Sequence, residues 1–195
     1  MHQNSIGNIL PESMMGVFKK LNETFAHDIM DEDCLFLNVW TPGLPGDSKS
    51  STDLKPVMMF FTGGGFETTR NAREQFDASI MSAYTDSVVI TFNHRLGGLG
   101  FTNLGVDDVP GNQGLYDAAT ALEWVIQNAA TFGGDSQKLM TFGQSSGGYV
   151  IATLMTSPTY NHLIKRAIFE SAVPFAPSAF FDLLEESGNF TTCAN

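Results

Sequence analysis

Cysteine is nearly absent from the 195 residues. There are two, Cys34 and Cys193, too few for a disulfide framework or a cysteine metal cluster. Basic residues are also scarce: 10 Lys and Arg stand against 21 Asp and Glu, for a net charge of -11 and an isoelectric point near 4.5. So acidic a surface repels phosphate backbones, which excludes a nucleic-acid partner from the expectations. No apolar run approaches the roughly 18 residues of a membrane span. The opening MHQNSIGNIL has neither the basic nor the apolar region of a signal peptide. Repeats, linkers and low-complexity tracts are missing too. What is present is 43% hydrophobic residues and a mean hydropathy of -0.02, the composition of a globular chain with a core. Nothing calls for a cofactor or a metal.

The hydrophobic pattern alternates between strands and helices. Residues 1–30 are polar, rich in Met and irregular, and 34–40, CLFLNVW, reads as a strand ended by Thr41-Pro42. Residues 43–55 form a loop by composition, and 57–61, VMMFF, is a buried strand running into Gly63-Gly64-Gly65. A helix over 76–84, a strand over 88–92 and a glycine-rich connection over 96–110 follow. From about Gln113 to Ala130, the residues Leu115, Ala118, Ala119, Leu122, Val125, Ile126 and Ala129 recur on one helical face, and Gly133-Gly134 stops the helix. A strand into Ser145, a buried helix over 147–156, a strand over 166–170 and an amphipathic helix over 179–187 complete the pattern. Ser178 is the N-cap of that last helix and Gly188 its stop. Such alternation predicts one α/β domain, or part of one, with a mostly parallel sheet and helices on both faces.

Two glycine-rich turns carry the chemistry. Gly143-Gln144-Ser145-Ser146-Gly147 is G-x-S-x-G between a strand and a helix, the setting in which a serine projects from a sharp turn. The free N–H groups of the following helix then favour a developing oxyanion. By itself the motif reads equally as a plain strand-to-helix turn. Upstream, Phe61-Thr62-Gly63-Gly64-Gly65-Phe66 follows a buried strand, and its glycines let backbone N–H groups approach a substrate. Read alone it is a glycine turn; read beside the serine it supplies the second part of an oxyanion hole.

With these residues in view, the chain resembles the type B carboxylesterases, a family that includes the cholinesterases and has an α/β-hydrolase fold. The resemblance runs from about Asp31 to Cys193. It rests on Glu32 to Trp40, Gly63 to Phe66, Asn93-His94-Arg95-Leu96-Gly97, Gly111 to Asp117, Phe132-Gly133-Gly134-Asp135 and Phe142 to Gly148. It implies a carboxylic ester hydrolase that works through a serine acyl-enzyme on a small-molecule or lipid ester, without cofactor or metal. Ser145 would be the nucleophile, and the N–H groups of Gly64, Gly65 and Ser146 the oxyanion donors. Three positions depart from the family's habit: Thr62 replaces a histidine, Gln144 a glutamate, and Ser146 an alanine. Gln144 removes a charge that would sit near the catalytic imidazole.

In the family the triad acid and histidine follow the serine far downstream. Here the histidines are His2, His27, His94 and His162. Each reads as a surface or packing residue. His162 with Glu170 is the fallback pair, although the family usually has glutamine at the position of Glu170. The family also pairs the cysteine matching Cys34 with one further upstream, and the cysteine matching Cys193 with one downstream. The expectation is therefore that residues 1–195 are part of a longer esterase and lack the triad acid and base. The alternative is a non-catalytic, hydrolase-like binding protein. The sequons at Asn22 and Asn189 are weak evidence for secretion, a family habit.

Overall fold

A computed structural model of the chain describes residues 31–46, 53–71 and 74–173. The chain forms two compact units, Met1–Cys34 and Leu35–Asn195. In the short described part of the first, the Asp31 carboxylate accepts the Asp33 N–H at 3.0 Å, and the Glu32 carbonyl accepts the Cys34 N–H at 3.0 Å.

The second unit is built on a five-stranded sheet. Its strands are β1 (Leu37–Trp40), β2 (Lys55–Phe61), β3 (Val88–Phe92), β6 (Gly134–Gln144) and β7 (Ala167–Glu170), in the order β1-β3-β2-β6-β7. β1 runs antiparallel to β3; every other pairing is parallel. Between the strands lie helices α1 (Ser79–Thr85), α2 (Gly97–Phe101), α3 (Gln113–Asn128) and α4 (Ser146–Thr156). This is the mostly parallel α/β sheet that the alternation predicts.

Period-two alternation places Val57, Met59 and Phe61 of β2 on one face of the sheet. Val88, Ile90 and Phe92 of β3 join them in one core with Leu122 and Val125 of α3 and Val150, Ile151 and Leu154 of α4. Phe61 meets Phe92 edge to face at 4.8 Å. On the opposite face Phe60 lies between Phe142 at 4.9 Å and Phe76 at 5.5 Å, the latter from a 3-10 turn over Glu74–Phe76. That face is only partly covered: Met58 and Phe60 are half-buried, and Ile168, opposite Phe142 on β7, is exposed.

Several boundaries move from their sequence positions. The strand expected from Cys34 begins only at Leu37, because β3 ends at its partner Phe92. Beyond that pair the Phe36 carbonyl still accepts the Asn93 N–H at 2.8 Å, but the ladder goes no further. The helix expected over 76–84 is broken: the Asp77 carboxylate accepts the Ser79 N–H at 2.8 Å, closing a turn before α1 starts. The glycine-rich connection has structure of its own, α2 followed by a hairpin of β4 (Asn103–Val106) and β5 (Val109–Pro110). The helix expected over 179–187 lies outside the described residues, as do Cys193, His2, His27 and both sequons.

Candidate active site

Strand order decides which loops meet. After β2 the chain moves to β3 on one side; after β6 it moves to β7 on the other. The carboxyl ends of β2 and β6, neighbours with Phe61 opposite Gly143, therefore form the switch point where open α/β sheets place their sites. The two glycine-rich turns leave the sheet at these ends.

Ser145 sits between β6 and α4 with φ 52° and ψ -124°, a backbone conformation that is costly for any residue but glycine. Two bonds hold it there. Its N–H donates to the Glu170 carbonyl at 2.8 Å, and its carbonyl accepts from the Tyr149 N–H at 3.2 Å. Its hydroxyl does not cap α4. Ser146, 4% exposed, opens the helix, and its N–H belongs to the first turn, which has no helical acceptors.

The close fit of the two turns requires the missing side chains. A Cβ on Gly63 would lie 2.5 Å from the Gln144 carbonyl oxygen and from its Oε1. A Cβ on Gly147 would collide with the Phe61 carbonyl oxygen and lie 2.9 Å from that of Thr62. Gly64 has φ 142° and Gly65 φ 65°. The Gly64 carbonyl accepts the Glu67 and Thr68 N–H groups at 3.1 and 3.0 Å, which turns the loop back on itself. A Cβ on Gly65 would meet no atom within 4 Å, and the residue is exposed. Thr62 is 2% exposed, and its hydroxyl has no partner among the described residues.

No described histidine is placed against Ser145. His94 follows β3, two strands from β6, roughly 10 Å across the sheet. It is buried beside Phe92, its Nδ1 has no partner among the described residues, and burial pushes its pKa down to about 4 against a weaker opposing pull from Asp117. His162 is exposed and lines a shallow cavity of about 160 Å³ with Ser136, Gln137, Leu139 and Lys165, at the amino end of β6. From Leu139 to Ser145 an extended strand covers roughly 20 Å. Glu170 lies at the other end of β7, opposite Gln144, with its side chain exposed. The fallback pair His162 and Glu170 is thus not brought together. Among the described residues no three His, Cys, Asp or Glu side chains form a metal-binding group, and no helix is long and apolar enough to cross a membrane.

The sequence offered no pairing for Arg95, 22 residues from Asp117. In the structure the buried Asp117 carboxylate takes the Arg95 Nε and backbone N–H on Oδ2, at 2.8 and 2.9 Å, and its Nη2 on Oδ1 at 2.7 Å.

A mostly parallel sheet with helices between its strands and two glycine turns at its switch point make this part of an α/β-hydrolase fold. A model of the carboxylesterase family matches residues 10–194. The chain is 42% identical over 142 residues to Acetylcholinesterase-1 of Trittame loki, covering 73% of this chain and 25% of that protein. Carboxylesterase 3 of Homo sapiens is 39% identical over 171 residues, 85% of this chain and 29% of its own. Bile salt-activated lipase of Homo sapiens is 39% identical over 170 residues, 82% and 22% respectively. The chain belongs to the carboxylesterase family and spans between a fifth and a third of the length of these relatives.

Proposed function

We propose that this chain carries the nucleophile and the oxyanion-binding part of a carboxylic ester hydrolase. The observation that carries the reading is the contact of the two turns. Gly63 lies against Gln144, and Gly147 against the end of β2, so the glycine loop borders the strained Ser145. Ser145 Oγ attacks the ester carbonyl, forming a tetrahedral intermediate whose oxyanion is received by the N–H groups of Gly64, Gly65 and Ser146. Collapse expels the alcohol and leaves an acyl-serine, which water then hydrolyses. The proton of Ser145 needs a histidine base oriented by an acid. Neither described histidine, His94 or His162, lies against Ser145. Substrates are small-molecule or lipid esters, the range that the relatives' names cover.

Two measurements test this. In the protein together with its histidine base, an active-serine phosphonate is expected to label Ser145, and peptide mapping to lose the adduct in Ser145→Ala. Labelling at Ser146 overturns the assignment, and no labelling of a folded protein favours a non-catalytic binding role. The 195-residue chain by itself is expected to hydrolyse p-nitrophenyl acetate barely above a protein blank. Loss of the serine or histidine costs on the order of 10⁶ in turnover, and oxyanion binding alone leaves roughly 10³ to 10⁴ over water.

A further inference from the structure

Phe66 closes the glycine loop with φ 64°, a left-handed conformation that a bulky side chain adopts only when its surroundings over-determine it. Those surroundings come from the segment after β3. The Phe66 carbonyl accepts the Gly97 N–H at 2.7 Å, and its ring meets Phe101 edge to face at 5.2 Å. That segment lies past the end of the β3 ladder and is fixed at Arg95. The guanidinium and backbone N–H of Arg95 are both held by Asp117 of α3. Two glycines make room for the Arg95 carbonyl: a Cβ on Gly100 would collide with it, and one on Gly114 of α3 would lie 2.5 Å away. The connection thus runs without a break from α3 through Asp117, Arg95, Gly97 and Phe101 to Phe66, the residue after Gly65.

From this chain of interactions we infer that Asp117 and Arg95 are positioning residues that hold the glycine loop in its strained form through Phe66. The inference rests on the proposed function only for the use made of the loop. The brace itself concerns the backbone of residues 63–68, and it is tested without any reaction.

The test is native-state hydrogen exchange on the full chain, read at the amides of Glu67 and Thr68, bonded to Gly64, and of Gly97, bonded to Phe66. In Asp117→Asn these three are expected to exchange about tenfold faster or more, while the β3 amides of 88–92 keep their rates. Arg95→Lys, which keeps the charge but loses the two-pronged grip, is expected to do the same more mildly, and serves if Asp117→Asn does not fold. The discriminating variant is Phe66→Gly. Glycine accepts φ 64° without strain, so in that background Asp117→Asn or Arg95→Lys is expected to change Glu67 and Thr68 exchange by less than about twofold. Uniform acceleration across 63–68 and 88–92, or equal effects with and without Phe66→Gly, overturns the brace. In an enzyme active on p-nitrophenyl acetate, Arg95→Lys should lower kcat with KM unchanged, because oxyanion donors act in the transition state. Accelerated loop exchange with unaltered kcat would retain the brace and remove the catalytic use of the loop.

Discussion

Ser145 and His94 each occupy a place that a different residue would fill at lower cost. At φ 52° and ψ -124°, Ser145 holds strain that a glycine would not. Ser145→Gly is therefore expected to stabilise the fold by about 1 kcal/mol, while Ser145→Ala stays within about 0.5 kcal/mol of the parent. Urea denaturation of the two variants checks this, and equal midpoints would show that the turn stores nothing. His94 is buried, and its pKa is held down near 4 by desolvation, opposed by the Asp117 carboxylate. The unfolded imidazole titrates near 6.5. Above about pH 6.5 it is neutral in both states and costs nothing. Between about 6.5 and 4 the unfolded chain binds the proton and the folded one does not, so stability falls as pH falls. The loss is on the order of 3 kcal/mol at most and levels off below pH 4. His94→Phe should flatten this part of the stability curve, measured by denaturant titrations from pH 7 to 4.

The connections between elements depend on backbone approach. The first turn of α4 reaches the end of β2 because Gly147 has no Cβ; Gly147→Ala would press a methyl group on the Phe61 carbonyl. Overpacking against backbone is expected to cost about 3 kcal/mol. Gly65→Ala meets no atom, so its cost is only that of placing alanine at φ 65°, about 1 kcal/mol. Thermal unfolding of the pair separates crowding from conformation: similar losses would mean that the β2–α4 contact is looser than it stands. Much of this level could be read in advance. The period of Leu115, Ala118, Leu122 and Val125 marks α3, and the run of apolar residues over 88–92 marks β3 to the residue. The breaks at Asp77 and Leu37 could not be read, because one depends on a side chain closing a local turn and the other on where a partner strand ends.

Over the whole molecule, charge and apolar surface oppose each other. A net charge of -11 keeps copies apart, but β7 is an edge strand among the described residues and carries Ile168 at 46% exposure. The 195-residue chain is expected to self-associate, more so in high salt, which screens the repulsion. Ile168→Lys should raise the monomer fraction in sedimentation velocity; an unchanged distribution would place the contact elsewhere. At this scale the division between sequence and structure is clear. The G-x-S-x-G turn, the three glycines, the acidic surface and the strand–helix alternation are local, and the sequence by itself determined them because composition, period and turn chemistry act over a few residues. That the loop after β2 and the turn after β6 touch was decided only by strand order, which pairs Phe61 with Gly143 across 82 positions of chain. The same holds for Phe66, Gly97, Arg95 and Asp117, and for the separation of His162 from Ser145 by the length of a strand. Contacts between distant segments follow from how β2, β3 and β6 share one buried face, and no local pattern carries that information.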